Sequence, residues 1–473
     1  MSHFTILEQA SLASKFALIS LAMAHLPVSA LNLSQALELA RHSDPSYLSA
    51  HVNRTGMRER QIQSEAALLP QVSISASGNA TRRKYITRDS PFPPAFDTYD
   101  SNNVQLTINQ PIWRSSNRAA VTQARATVAQ ADFQLLAAEQ DLLVRLMQGW
   151  FDWMLARDAV LAAQSQVVAT EFQMKLTERA QSTGLASDLN LQEASMKYQQ
   201  AHSDWLSAQT DQSVKLANLE QIIGPIGESP VPALSDQYMP PDPRSDKLEV
   251  WLARADAENP PVQAARRALQ AAREEIRKQQ AGHEPTLDFV ATLGRNQQAA
   301  GSFPGQNGSD QRSRSFGLQL NIPLYAGGAV SSKVREAIAA RDKAEQDVEA
   351  ARRTARFNAT QAWNVWLASH TRESAAQQGV KFWTSSLKAA NTGQASGLKS
   401  GMDVVQASGQ LYSALRDLQK TRYDKITSYL KLKAVVGQLQ DQDLIEFDRW
   451  FGPARELPSN LSEFVPPREK SGG

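Results

Sequence analysis

The sequence predicts a membrane protein of mixed α and β structure, in which three copies of the chain share one β-barrel that is continuous with a barrel of long helices. Three observations support this prediction. Four segments of about 10 residues alternate apolar and polar side chains, as membrane-crossing strands do. Each pair of segments precedes a helical stretch several times longer than an ordinary globular helix. The whole arrangement occurs twice along the 473 residues.

The first residues are expected to form a secretory signal. Lys15 precedes an apolar run at residues 16–26, and residues 28–30 offer small side chains for cleavage. We therefore predict that residues 1–30 are removed. The chain has no cysteine and a net charge of +2, which excludes disulfides and thiolate sites and gives no sign of a nucleic-acid partner.

Two copies of one unit follow. Trp150 and Trp363, and likewise Trp153 and Trp366, are offset by the same 213 residues, and four further matches keep nearly the same spacing. The predicted boundaries are 31–224 for the first repeat, 225–246 for a Pro-rich linker and 247–437 for the second repeat. Residues 438–473 are expected to form a C-terminal equatorial segment and a partly disordered tail.

Each repeat is predicted to begin with one helix, at about 34–69 and 247–282, and to continue with two strands joined by a polar loop. A very long helix follows, and a glycine separates it from a second long helix. The long helices are predicted at about 117–179 and 331–391, the glycines are Gly184 and Gly397, and the second helices are predicted at about 188–223 and 402–436.

The last predicted strand shows the alternation most clearly. Its apolar residues are Phe316, Leu318, Leu320, Ile322 and Leu324, and the residues between them are polar or small. An ordinary sheet packed on helices in a soluble α+β protein is the alternative. It is disfavoured because no short amphipathic helices remain to cover the sheet.

Four strands are too few to close a barrel, and an open edge in hydrocarbon leaves unpaired backbone groups that cost several kcal/mol each. The chain is therefore expected to oligomerise, and three copies supply about 12 strands, four from each chain. The long helices are then expected to meet around the same axis as coiled-coil pairs.

Proline and glycine mark the predicted strand-to-helix junctions. Pro111 and Pro323 lie where each repeat leaves its last strand, and a proline there removes a ladder donor that is no longer needed. Gly327 and Gly328 are expected to give the second junction its conformational freedom.

Residues 281–294, 316–337 and 435–444, including the P-L-Y-x-G-G element after the last strand, closely resemble the TolC family of outer-membrane channel-tunnels. The resemblance covers nearly all of the chain after residue 30. It implies a homotrimer in the outer membrane of a Gram-negative bacterium, with a long periplasmic helical tunnel.

The same resemblance implies a passive exit duct of a tripartite export system. Its cargo would be polypeptides of type I secretion, such as a toxin, or small-molecule drugs. Its partners would be a periplasmic adaptor, an inner-membrane ABC exporter or proton-driven pump, and outer-membrane lipid. A periplasmic coiled-coil adaptor and a soluble enzyme with a helical scaffold are the alternatives.

The resemblance also indicates a periplasmic gate near Gly184 and Gly397. Asp403 matches the first of two acids that form a ring in many members, and Gln406 replaces the second. The family's gate-holding arginine falls on Lys399 and its acidic partner on Asn190, with Asp188 two residues before it. We therefore expect a weaker ring, and a closed state held through Lys399 with Asp188 or Asp403.

No enzymatic chemistry is expected. The histidines show no metal-binding spacing, and neither a P-loop nor a nucleophile elbow is present. We predict no catalytic residues, no cofactor and no metal site.

Overall fold

The structure is a computed structural model, and it describes residues 31–85, 95–226, 233–235, 238, 242–302 and 307–452. The predicted signal, residues 1–30, and residues 453–473 of the predicted tail lie outside these ranges. The chain divides into two compact units. The first unit combines the described parts of Met1–Leu48, Ala138–Ala255 and Arg356–Gly473, and the second combines those of Ser49–Ala137 and Asp256–Ala355.

Helices make up most of the described chain, and they occur in the same order in both halves. The first half contains α1 (Leu33–Ser43), α2 (Pro45–Ala66), α3 (Ser115–Ser182) and α4 (Asp188–Ile223). The second half contains α5 (Leu248–Glu258), α6 (Pro260–Gln280), α7 (Ala329–Ala395) and α8 (Gly401–Val435), and α9 (Asp441–Asp448) follows. Across the described helices, none combines the length and the apolar character needed to cross a membrane.

The prediction that a single helix opens each repeat was wrong, because two consecutive helices occupy that segment in both repeats. The breaks fall at Asp44 and Asn259, each directly before a proline. A proline disfavours the helical conformation of the residue before it and is itself well suited to the first helical position. Asp44 Oδ1 accepts the N–H of Tyr47, and Asn259 Oδ1 accepts the N–H of Val262, so both residues cap the helix that follows.

One antiparallel sheet forms the strand part of the second unit. Its strands are β1 (Gln71–Tyr85), β2 (Ala95–Trp113), β4 (Thr286–Gln298) and β5 (Ser309–Asn321), in the spatial order β1-β2-β4-β5. The register places Ile74 opposite Leu106, Leu106 opposite Leu293, and Leu293 opposite Arg314. Each strand lies next to its hairpin partner, so the two hairpins of the two repeats join through β2 and β4.

The two faces of this sheet differ as the alternation predicts. One face carries most of the apolar residues of the four strands, and those on the edge strands remain exposed in the single chain: Phe316 is 79% exposed, Leu318 65% and Ile74 72%. The other face carries Ser, Thr, Asn and Gln. An exposed apolar face of this size is a surface that another apolar phase or another protein must cover.

A continuous apolar core holds the first unit together. It brings α1, the middle of α3, the end of α4, the end of α8 and α9 into contact, and its fully buried members include Leu33, Leu146, Trp150, Ile426 and Leu444. A two-residue strand pair, β3 (Ala233–Leu234) with β6 (Phe451–Gly452), lies beside it. The C-terminal residues that the structure describes are therefore part of this core.

A buried ion pair fixes the start of the first unit. Asp44 is almost fully buried and accepts two hydrogen bonds from Arg145, at 2.8 and 3.1 Å. Burial by itself raises the pKa of Asp44, but the hydrogen bonds from Arg145 and from the Tyr47 backbone outweigh it and lower the pKa below its ordinary value. This contribution to folding is therefore lost only in acid, as the pH falls through that lowered pKa.

The predicted linker is anchored to the long helices at Tyr238. Its hydroxyl donates to Oε1 of Glu373, at 3.0 Å, and Lys425 donates to the other carboxylate oxygen, at 2.8 Å. All three residues are buried. Burial, together with the neighbouring Glu373 charge, raises the pKa of Tyr238, so the phenol keeps the proton that it donates.

The matching tryptophans Trp150 and Trp363 differ in burial, which gives a test of the core. Trp150 is fully buried, whereas its counterpart Trp363 is outside the core. We expect Trp150→Ala to lower the free energy of unfolding by about 3–5 kcal/mol and Trp363→Ala to lower it by clearly less. The midpoint temperature of the heat-induced loss of helical circular dichroism measures the difference, and equal midpoints in the two variants would contradict this assignment of the core.

Candidate functional site: the helix turns and the strand-to-helix junctions

Two short turns connect the long helices, and both have the same construction. The first turn, residues 183–187, joins α3 to α4, and the second turn, residues 396–400, joins α7 to α8. Gly184 and Gly397 have φ angles of +79° and +75°. Only glycine adopts this left-handed conformation at little cost, and it commonly ends helices.

Lys399 is held in the second turn by the glycine beneath it. The backbone N–H groups of Leu398 and Lys399 both donate to the carbonyl of Gly393, at 2.8 and 3.1 Å. A Cβ on Gly393 would lie 2.9 Å from Cγ of Lys399, so the lysine stem lies directly over this glycine. The first turn has Ala180 and Ala186 at the equivalent positions. Sequence reasoning missed Gly393. Its alignment with Ala180 in the other repeat could have shown that the second turn differs from the first at this position.

Asp403 lies in the first turn of α8 and forms a capping box with Ser400. Its carboxylate accepts hydrogen bonds from the backbone N–H and the hydroxyl of Ser400, both at 2.8 Å, and the Ser400 hydroxyl accepts the N–H of Asp403. The hydroxyl and backbone hydrogen bonds from Ser400, together with the Lys399 charge, lower the pKa of this exposed carboxyl. Asp403 therefore begins the helix and also presents a persistent negative charge at the turn.

The first turn is followed by acids at other positions than the second turn. Asn190 is the repeat counterpart of Asp403, and its backbone N–H donates to the hydroxyl of Ser187. The counterpart of the uncharged Gln406 is Glu193, which forms an ion pair with Lys197 at 2.8 Å. Two acids, Asp188 and Glu193, thus follow the first turn, whereas Asp403 alone follows the second within the same distance. Sequence reasoning missed Glu193 because it compared each position with a family pattern and not with the other repeat.

The closed state was expected to involve Lys399 with either Asp188 or Asp403, and the described part of this single chain shows an interaction with Asp403 alone. Asp188 accepts a hydrogen bond from Gln181, at 3.1 Å, and no ion pair joins it to Lys399 there. The Lys399 charge acts on Asp403 instead. Lys399 and Asp403 therefore interact within this chain, and Asp188, Asn190 and Gln406 are exposed, with Gln406 one helical turn after Asp403.

The start of α8 packs closely against α3. The Gln173 side chain lies across the Cα of Gly401, where a Cβ would overlap it, and a Cβ on Gly409 would lie 2.9 Å from Oε1 of Gln166. Gln166 and Gln173 are seven residues apart on α3, so they lie on one face of that helix. Sliding of α8 across this face of α3 would have to displace these two glutamines.

At the first strand-to-helix junction an ion pair joins the two repeats. Pro111 lies opposite Asp288, and a bulge separates it from Trp113 at the end of β2. The guanidinium of Arg114 donates to both carboxylate oxygens of Asp288, at 2.9 and 2.6 Å. Asp288 is buried, and a two-pronged pair of this kind fixes direction as well as distance. The entry into α3 is thereby tied to the start of β4.

The second junction is held by backbone geometry. Pro323 follows the end of β5, and Gly327 and Gly328 precede α7 with φ angles of +61° and +81°. The N–H of Ser332 donates to the carbonyl of Gly328, which is the first bond of the helix. Both glycines occupy the left-handed region, where other residues are strained.

The carboxylates at these turns carry charge and accept hydrogen bonds. Among the residues that the structure describes, no group of three or more His, Asp or Glu side chains could hold a metal ion. The site therefore consists of two exposed turns that carry fixed charges and of two stiff connections between strands and helices. These features suit a passage and its constriction.

A family model described as "Outer membrane efflux protein" matches residues 36–225 and 251–438. Among curated proteins, the chain is 26% identical over 428 residues to the proteases secretion protein PrtF of Dickeya chrysanthemi, covering 90% of this chain and 92% of that protein. It is 26% identical over 447 residues to the outer membrane protein TolC of Escherichia coli K12, covering 92% of this chain and 88% of that protein.

Solved structures share the fold at lower identity. The outer membrane protein VceC of Vibrio cholerae matches with a TM-score of 0.69 and 19% identity, covering 86% of this chain and 96% of that chain. The CmeC outer membrane channel of Campylobacter jejuni matches with a TM-score of 0.72 and 14% identity, covering 89% of this chain and 90% of that chain. The predicted fold class, long helices with one four-stranded sheet per chain, is confirmed.

The glycines of the second junction provide a test. Gly327→Ala adds a side chain in open space but forces it into the left-handed region, at a cost of about 1–2 kcal/mol. Gly379→Ala, in the middle of α7 and also in open space, should be neutral or stabilising by up to about 1 kcal/mol.

Amide hydrogen exchange at the start of α7 measures the effect. We expect exchange there to be at least fivefold faster in Gly327→Ala, roughly the ratio that 1 kcal/mol gives, and unchanged in Gly379→Ala. If both variants exchange at the wild-type rate, the left-handed glycine does not control this junction.

Proposed function

The chain belongs to the outer membrane efflux protein family, and from this premise we propose that three copies of it enclose one passive exit duct of a tripartite export system. Family membership confirms the predicted family, the predicted outer-membrane location and the predicted role in export. The alternative of a periplasmic adaptor gains no support from the relatives.

The observation that carries the proposal is the pair of unpaired sheet edges. In the single chain β1 and β5 each have one strand neighbour, and the apolar face between them is exposed. In hydrocarbon each unpaired backbone group costs several kcal/mol, so β5 of one copy must pair with β1 of the next. Three sheets then give a closed wall of about 12 strands, which is wide enough for a water-filled lumen.

The cargo and partners follow from the relatives as proposals. The names of PrtF and of AprF from Pseudomonas aeruginosa describe protease secretion, which supports polypeptide export of the type I kind. The name of BepC from Brucella suis describes efflux, which supports small molecules as a second cargo. We propose a periplasmic adaptor and an inner-membrane ABC exporter or proton-driven pump as the partners.

We place the constriction of the duct at the two helix turns. Asp403 supplies a negative charge from each copy, and Lys399 beside it limits how far that charge acts. Asp188, Asn190 and Gln406 complete the surface of the turns, and Gln406 leaves the ring with a single acid in the second repeat. Opening would require α8 to move past the glutamines of α3.

Cross-linking tests the closed wall, because the natural chain has no cysteine. Ser315→Cys on the polar face of β5 is combined in turn with a cysteine at each polar-face position of β1 from Ser73 to Thr81. We expect at least one combination to give covalent dimers and trimers and no larger species. Ser315→Cys with Thr107→Cys is the control, because β4 separates these residues in one chain.

A ladder of products longer than three chains, or no product at any position, would contradict the trimer. The first result indicates an open assembly, and the second indicates that the sheet edges do not meet.

The charge of Asp403 is tested by cation block of single channels. We expect Asp403→Ala to weaken block by a trivalent cation roughly tenfold, because three ring carboxylates are removed, and Gln406→Glu to strengthen it. In the wild-type protein, block should be lost only as the pH falls through the lowered pKa of Asp403. Unchanged block in both variants would remove these residues from the constriction.

A further inference from the structure

We propose that the outer end of the sheet's apolar face is a binding site for the phosphate groups of an anionic lipid. The proposal rests on the proposed function, because it takes this face to be the lipid-facing side of the barrel. On three of the four strands the apolar run ends in a cation on the same face, towards the hairpin loops. These cations are Arg82 and Lys84 on β1, Arg295 on β4, and Arg312 and Arg314 on β5.

The register places these five residues on one face. Arg295 lies opposite Val104 and Arg312, and Arg314 lies opposite Leu293, so the β4 and β5 cations share a face with apolar residues. On β1, Arg82 and Lys84 follow Ile74 and Ala80 at even spacing, and alternation keeps them on that same face. All five side chains are exposed.

The carboxylates of this face do not balance the cations. Asp310 pairs with Arg295, at 2.6 and 3.0 Å. Within the described residues, no carboxylate lies within ion-pair distance of Arg312, Arg314, Arg82 or Lys84. Among the residues that the structure describes, Asp100 is the one further acid on this part of the face, so their charges sum to an excess of positive charge there.

The edges of the sheet concentrate this charge further. Arg312 and Arg314 lie on the edge strand β5, and Arg82 and Lys84 lie on the other edge strand, β1. When β5 of one copy pairs with β1 of the next, four cations gather around each junction between copies. Like charges that are brought close together are unfavourable unless an anion lies between them.

An aromatic residue indicates the depth of the site. Arg82 lies over the ring of Phe96, with Cζ 4.5 Å from the ring centroid, and Nζ of Lys84 lies 5.9 Å from it. Aromatic rings mark the boundary between the apolar band and the headgroups in such barrels. Cations just beyond that boundary meet lipid phosphates, where the surrounding dielectric is lower than in water and charge pairing is stronger.

The experiment measures lipid retained by the purified trimer with native mass spectrometry. The probe is a diphosphorylated disaccharide glycolipid, and the comparison lipid is the same molecule without its phosphates. Arg312→Gln/Arg314→Gln should weaken retention of the phosphorylated lipid on the order of tenfold. Arg82→Gln/Lys84→Gln, on the other side of the junction, should do the same.

Lys333→Gln/Arg335→Gln is the matched control, because it removes the same charge from exposed positions on α7 outside the sheet. It should retain the lipid as the wild type does. Equal retention in the sheet variants and the control would overturn the proposal. Displacement of the lipid by an equal concentration of inorganic phosphate would also overturn it, since the site would then bind a free ion.

Single-channel recording separates this proposal from the proposed function. A trimer that conducts but does not prefer the phosphorylated lipid contradicts the lipid site alone. Lipid binding by a protein that does not conduct contradicts the duct and leaves the lipid site standing.

Discussion

Backbone hydrogen bonding in the four-stranded sheet is the constraint on which the other features depend. The sheet pairs all of its strands internally, yet both edges are left without a partner and its apolar face is exposed. Unpaired edges are not stable in hydrocarbon, and an exposed apolar face is not stable in water. Copies of the chain satisfy both at once, because each edge pairs with the next copy and the apolar faces turn outward together. The cations at the outer end of that face then meet the lipid headgroups.

The connections into the helices are adapted to this constraint. A chain that leaves a closed wall has to stop pairing and change direction without leaving buried polar groups unsatisfied. The first junction does so with a proline, a bulge and the Arg114–Asp288 pair, whereas the second uses two left-handed glycines. The same chemical means recur at the far ends of the long helices, where glycine ends one helix and serine caps the next.

The features predictable from the sequence are those that depend on neighbouring residues. Alternation in β5 and the glycines at the helix turns specify their elements locally. The predicted bounds of α4 agree with the structure at both ends. The breaks at Asp44 and Asn259 have a local signal in the proline that follows each of them. Contacts between distant residues, such as Arg114 with Asp288 or Gln173 with Gly401, had no sequence signal, because they depend on how the elements pack. The contact of Lys399 with Gly393 was partly predictable, because aligning the two repeats shows that both positions are alanine in the first repeat.

The central claim is that one chain supplies too small an arc of wall, so that three chains must share it. A cryo-electron microscopy reconstruction of the purified protein in a lipid nanodisc tests this most directly. The account predicts threefold symmetry about a hollow axis, with β5 of each copy paired to β1 of the next and the face of Phe316 and Ile74 against lipid. A monomer whose sheet is covered by its own helices, or an assembly without a hollow axis, would contradict it.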